Sequence, residues 1–264
     1  MLSKIVPGRQ PKKSGKLLAE KKFINDNVGF IEILDVFGND LTVVNAARVS
    51  FNKESEFEPI RDGYGDSAKV VGHRVSARDQ NLIEYLAQHN HVTPFFHPQL
   101  RFRIKMPIYI TREWYRHTVG FARNEVSRRY VTFEPEFFVP SELRKRDANI
   151  KQGSSNEVHE HNSELLANIR KTNHKALELY NYLLERGVCP EQARGVLPQS
   201  MYTEFIETGS LAAYARLVNL RLDSSAQKEI REYAGILSSI VEKIFPVSWR
   251  ALVKYNEFFE RKIG

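Results

Sequence analysis

Residues 99–106 read QLRFRIKM. Leu100, Phe102, Ile104 and Met106 fall on one face of an extended chain, and Arg101, Arg103 and Lys105 on the other. A strict period of two marks a strand buried on one side and wet on the other. Pro107 suits the first turn of a helix, where its missing N–H is not needed, so the spacing predicts a helix from there to about His117. The apolar face of the strand must be covered, and the flanking sequence supplies mostly helical patterns to cover it.

Upstream, Phe30, Ile31, Ile33, Leu34 and Val36 form an apolar run ending at Gly38-Asn39-Asp40, a strand followed by a turn. Residues 41–49 and 78–89 read as helices, with a polar loop over 52–75 between them. Downstream, residues 130–139 suggest a strand closed by Pro140. Residues 141–160 are polar and read as a surface insertion, with Ser154 and Glu157 spaced as a capping box for the next helix. That helix carries Leu165, Leu166, Ile169, Leu177 and Tyr180 on one side and closes at Gly187. Further helices are expected over 190–196, 210–221, 225–245 and 247–261. The expected fold class is α+β: a single helix-rich domain, residues 27–264, around a mostly antiparallel sheet. A basic, flexible arm, residues 1–26, precedes it.

The chain has 264 residues, a formal net charge of +7 and one cysteine, Cys189. A lone cysteine excludes a disulfide scaffold and suits a reducing compartment, so a cytoplasmic protein is expected. Sixteen phenylalanines and eleven tyrosines can fill a core, which argues against disorder. No apolar run approaches the roughly 18 residues of a membrane span, and no membrane partner is expected. The charge is uneven. Residues 1–25 carry seven basic residues against Glu20 alone, which leaves the remaining chain near neutrality. Such a body is not a general polyanion binder, so nucleic acid is not the expected partner.

Charge is nonetheless concentrated locally. Residues 101–130 hold eight Lys or Arg against Glu113 and Glu125, interleaved with Trp114, Tyr115, Phe121 and Tyr130. Guanidinium forks bind phosphate bidentately, and aromatic neighbours suit flat rings. Arg101, Arg103 and Lys105 read as a solvated strand face. Arg116, Asn124, Glu125, Ser127 and Arg129 mix charge, amide and hydroxyl without an amphipathic period, as a site on a loop would. The arginines beside Ser127 favour anion binding over a nucleophile. His89, His91 and His97 have no carboxylate or thiolate at familiar ligand spacing, so no metal is assigned. No glycine-rich phosphate loop occurs.

The segment RHTVGFARNEVSRRY, residues 116–130, resembles the signature of flavin-dependent thymidylate synthases: Arg-His-Arg, seven residues, then Ser. GNDLTVVNAARVS at 38–50, LIEYLAQHNHVTPFFH at 82–97, QARGVLP at 192–198 and LRLDSSAQKEIREYA at 220–234 resemble four further blocks of that family, in its order. The arm and the insertion lie outside the resemblance. The family methylates C5 of deoxyuridine monophosphate (dUMP). Methylenetetrahydrofolate gives the carbon, and NADPH gives electrons through FAD. The resemblance implies the family's fold and a homotetramer with active sites at subunit interfaces. It also implies a pyrimidine mononucleotide as substrate.

Residue roles follow by match of position. Ser127, Arg129 and Arg194 are expected to hold the nucleotide phosphate, and Glu113 to lie near the base. Arg116, Glu125 and Arg221 are expected to be catalytic and to touch the substrate; a cation at Arg221 would stabilise negative charge as C5 becomes nucleophilic. Ser50, His91, Thr93, Arg116, His117, Asn124 and Glu125 are expected flavin contacts. The chain departs from the pattern in several places. Thr118 stands where the signature has Arg, and Ser127 follows Arg116 by eleven residues where the family has ten. Arg123 is the candidate for the missing guanidinium. Phe96 replaces an acid, Glu113 a glutamine, Ser225 a histidine, and Ser210, Ala212 and Arg216 replace Asn, Arg and Asn in the cofactor-binding stretch. Arg216 is kept as a cofactor candidate. These changes leave open altered flavin binding and another pyrimidine nucleotide, with methylation or hydroxymethylation of UMP, dUMP or dCMP. A nucleic-acid-binding protein on the same scaffold is the non-enzyme alternative.

Overall fold

The computed structural model describes residues 20–63, 69–147 and 154–254. Five strands form one antiparallel sheet: β1 (Lys21–Phe23), β2 (Phe30–Phe37), β5 (Gln99–Pro107), β9 (Tyr202–Ser210) and β6 (Phe121–Glu125), in the order β1-β2-β5-β9-β6. The helices are α1 (Asp40–Arg48), α2 (Ala77–Gln88), α3 (Ile108–Trp114), α4 (Asn162–Glu185), α5 (Pro190–Ala193), α6 (Leu211–Arg221), α7 (Lys228–Ile244) and α8 (Pro246–Leu252). Two hairpins stand apart from the sheet, β3 (Glu58–Asp62) with β4 (Lys69–Arg74) and β7 (Arg144–Arg146) with β8 (Ser154–Val158). Among the described residues, no helix is long and apolar enough to cross a membrane.

Strand β5 behaves as its alternation requires. Leu100, Phe102, Ile104 and Met106 are fully buried in the one core, beneath α6, α7 and α8. The opposite face carries an ionic ladder: Arg101 pairs with Asp35, Arg103 with Glu204 and Lys105 with Glu136. Pro107 is the N-cap of α3, one residue before the expected first turn.

Two of the expected end signals stand where the sequence placed them. Gly38 takes φ of +88°, where glycine has no steric penalty. Asn39 then caps α1 by accepting from the amides of Leu41 and Thr42. Gly187, at φ +81°, closes α4.

Several expectations are corrected. Strand β9 lies between β5 and β6 in the sheet, where no strand was expected, and β6 falls inside the stretch read as a loop. Residues 130–139 form only one bridge, Phe137 to Met201, because Pro135 lacks a donor and the Phe133 carbonyl accepts from the Arg128 guanidinium. The loop over 52–75 contains the β3–β4 hairpin. Ser154 and Glu157 lie in β8 rather than capping a helix; α4 begins at Asn162, with His161 as N-cap. The sheet also begins at β1, inside the stretch read as an arm, and the last helix, expected over 247–261, ends at Leu252, where Val253 turns extended; residues 1–19 of the arm and 255–261 of that expected helix lie outside the described residues.

Where β6 meets β9, Phe121 lies opposite Gly209. A Cβ on Gly209 would stand 2.5 Å from the Phe121 ring and 2.9 Å from Tyr214. Gly209→Ala is therefore expected to lower stability by about 1–3 kcal/mol, as overpacking does. Urea unfolding measures it, and an unchanged midpoint would show that β6 can move aside freely.

Candidate active site

The end of α3 and the start of α6's C-terminal turn meet over one arginine. Arg221 ends α6. Its Nη2 donates to the Glu113 carbonyl at 2.8 Å, its Nη1 lies 3.4 Å from the Glu113 carboxylate, and its Nε donates to His117 Nε2 at 3.0 Å. Because Nε2 accepts, the neutral imidazole carries its proton on Nδ1. Burial first, then the charges of Arg221, Arg123 and Arg216, pull His117 down from the usual 6.5 to about 4. Three guanidiniums thus surround a histidine that stays neutral.

Strand β9 supports this junction from below. Glu207 is fully buried and lies directly opposite Arg123 in the β6–β9 ladder, where the two form an ion pair. Trp114 Nε1 sits 3.2 and 3.3 Å from the two carboxylate oxygens. Burial pushes the Glu207 carboxyl up, against the downward pull of Arg123 and Trp114. The Arg123 guanidinium also lies over the rings of Tyr115, at 4.9 Å, and Phe121, at 4.7 Å. One turn along β9, Thr203 Oγ1 donates to Glu125 at 2.6 Å. Burial, reinforced by Glu125, raises the Tyr115 hydroxyl above its ordinary value.

A second region adjoins the first. The turns at Val49–Phe51 and Thr93–Phe96 border an open cleft of about 1120 Å³. Ser50, His91 and Thr93 line it together with Leu82, Tyr85 and Pro94. Asp79, at the start of α2, holds the cleft wall in place. It accepts from Arg48 Nε at 3.1 Å, Ser55 Oγ at 3.1 Å and Ser76 Oγ at 2.9 Å. Burial opposes its charge, but these donors outweigh burial and hold the carboxyl below its usual range. Phe96 links the regions, with the Arg216 guanidinium 5.9 Å from its ring. Arg216 also donates to the Val119 carbonyl at 2.7 Å.

The structure therefore brings Glu113, His117, Arg123, Arg216 and Arg221 into one cluster and Ser50, His91 and Thr93 into one cleft. Arg116 is exposed just beyond α3, and Asn124 and Glu125 are exposed on β6. Ser127 and Arg129 follow β6, with Arg129 Nε 3.3 Å from Ser127 Oγ. Arg194 is exposed in a separate turn after α5, and among the described residues no hydrogen bond or ion pair joins it to Ser127 or Arg129. The basic stretch is less free than its composition implies. Arg101, Arg103, Lys105 and Arg123 all have carboxylate partners, and Arg128 is buried against Phe133. Thr203 and Glu207 escaped the sequence reading, and Trp114 entered it only as an aromatic neighbour of the basic stretch; the acid at an inward position of YTEFIETGS hides the strand that carries the first two.

Over residues 32–247 the chain matches the family described as thymidylate synthase complementing protein (Thy1). A flavin-dependent thymidylate synthase of Thermosipho melanesiensis is 36% identical over 232 residues, 86% of this chain and 92% of the relative. One from Thermus thermophilus is 37% identical over 227 residues, 86% of this chain and 76% of the relative.

The chain belongs to the flavin-dependent thymidylate synthase family.

Among solved structures, the UMP/dUMP methylase PolB from Streptomyces cacaoi bound with 5-Br dUMP is similar at a TM-score of 0.69 and 28% identity. The match covers 84% of this chain and 93% of that one. The same methylase bound with 5-Br UMP matches at a TM-score of 0.69 and 26% identity, over 86% and 93% of the two chains. This family member thus shares its relatives' mixed helix and sheet domain as well as their sequence blocks.

The depressed His117 gives a stability signature. Above pH 6.5 the ring is neutral in folded and unfolded chains alike. As pH falls from 6.5 towards 4, the unfolded chain takes up the proton first, so stability declines. We expect His117→Gln to remove about 1–2 kcal/mol of that decline, after allowing for solvent screening. Parallel pH dependences of Tm for the two proteins would contradict the assignment.

Proposed function

We propose that this enzyme methylates C5 of dUMP, with methylenetetrahydrofolate as carbon donor and NADPH as electron source through FAD. The observation that carries the reading is the grip on Arg221 by the Glu113 carbonyl and His117. A cation so held does not need to reorganise when charge develops near it.

The residues present fit a flavin. The cleft, at about 1120 Å³, is slightly larger than the roughly 300–1,000 Å³ of most small-molecule sites, and its walls mix apolar side chains such as Leu82, Tyr85 and Leu86 with polar and basic ones such as Arg48, Lys53 and Arg78. In our reading Ser50, His91 and Thr93 hold the cofactor on the cleft side, and Arg116, His117, Arg123, Asn124, Glu125 and Arg216 on the junction side. When bound, FAD supplies the redox chemistry by which the transferred carbon becomes a methyl group. The chain's own residues bind and orient. Arg221 faces the pyrimidine and stabilises its negative charge as C5 turns nucleophilic. Neutral His117 keeps Arg221 in register without adding to the charge, and its Nδ1–H remains a donor. Arg116 and Glu125 line the meeting of nucleotide and cofactor.

Ser127, Arg129 and Arg194 bind the nucleotide phosphate in this reading. In the same reading the enzyme is a homotetramer whose sites take residues from neighbouring copies. The exposed thiol of Cys189 suits a cytoplasmic enzyme. UMP is the second reading for the substrate, favoured by the likeness to the methylase bound with 5-Br UMP and by Glu113 standing where the family has glutamine.

Purified protein given FAD is expected to turn yellow, to bleach with NADPH and to bind dUMP. Protein that takes up no FAD and no pyrimidine mononucleotide would overturn the proposal. Arg194→Ala should weaken dUMP affinity by about 1.5–3 kcal/mol, the worth of a charge-assisted hydrogen bond. Calorimetric titration reads this, and an unchanged affinity removes Arg194 from the site.

A further inference from the structure

Arg123 is divided between two tasks. Its Nε edge faces the Glu207 carboxylate, and its plane is fixed between the Tyr115 and Phe121 rings. Its Nη2 is buried and has no hydrogen-bond partner. A buried N–H that bonds to nothing is costly, and native proteins rarely leave one so. The same guanidinium lies 4.9 Å from the Tyr115 ring, at the end of α3 two residues before His117, so the orphan nitrogen belongs to the junction of α3, β6 and α6. Glu207 also fixes Trp114, the residue next to Glu113, so one carboxylate sets both halves of the junction.

We infer that Glu207 is a positioning residue of this site, which turns Arg123 so that its unpartnered Nη2 donates to an acceptor oxygen of the flavin cofactor. Arg216 and Arg221 already bring positive charge to this region. Pairing Arg123 with Glu207 supplies a directed donor without adding to that charge. Arg123 lies in the segment with one extra residue and without the signature arginine, and Glu207 meets it from β9.

The inference rests on the proposed flavin site, and its test separates the two. FAD affinity is measured by flavin fluorescence and dUMP affinity by calorimetry, alongside the visible spectrum of bound flavin. Arg123→Lys keeps the charge against Glu207 and removes Nη2. Glu207→Gln keeps the shape and releases Arg123. We expect each to weaken FAD tenfold or more and shift the spectrum; Arg123→Lys, which leaves Glu207 paired and Trp114 held, keeps dUMP affinity within twofold. The double variant Arg123→Met, Glu207→Met should be no worse than either alone, because both singles break one interaction. If Glu207→Gln does not fold, the lysine variant and the apolar pair, which leaves no buried charge, carry the test. FAD affinity within twofold of wild type in Arg123→Lys or in the double variant overturns the inference. So does equal weakening of FAD and dUMP in Arg123→Lys, which is what general loosening would give. If the wild-type protein binds no FAD, the proposed function fails instead.

Discussion

A carboxylate without access to water must find its partners inside the protein, and Glu207 is such a group. Removing one member of a buried ion pair typically costs about 3–5 kcal/mol, since the other is left charged and alone. Its partners come from two other elements: Arg123 from β6 and Trp114 from α3. Satisfying Glu207 therefore fixes the sheet edge relative to the helix. Once α3 is fixed, Glu113 and His117 are presented to Arg221 at the end of α6. The geometry of the candidate active site follows from one buried charge on β9.

The electrostatics build upward from this arrangement. Two of the three guanidiniums near His117 have carboxylates beside them, Glu207 for Arg123 and Glu113 for Arg221. Arg216 and Arg116 have none among the described residues. The junction is thus positive but not uniformly so, which suits a phosphorylated nucleotide and a dinucleotide cofactor better than a long polyanion. The overall charge of +7 pointed elsewhere, because much of it resides in the first 25 residues. What matters locally is which cations remain uncompensated after folding.

Much of the fold was legible where periodicity was clean. Strand β5 alternates without fault, and its four apolar residues are all in the core. The helices α1, α2, α6 and α7 carry stripes and end signals close to where they fold. Strand β9 was not legible, because Glu207 occupies an inward position that an apolar side chain would otherwise mark. Residues 130–139 misled in the opposite way, having β-forming side chains but a proline and a carbonyl committed to Arg128. For the site, the blocks brought Glu113, His117 and Arg221 into view, since their roles attach to recognisable spacing. Glu207, Thr203 and Trp114 act through other residues, and that kind of role leaves no local pattern.

Carbon transfer tests the account most directly. Enzyme, dUMP, FAD and NADPH are incubated with methylenetetrahydrofolate deuterated at its methylene carbon, and the nucleotide product is weighed by mass spectrometry. The account predicts thymidylate whose methyl group contains that carbon and both deuterons, formed only when FAD and NADPH are present. Recovery of unchanged dUMP from protein shown to hold FAD would contradict it.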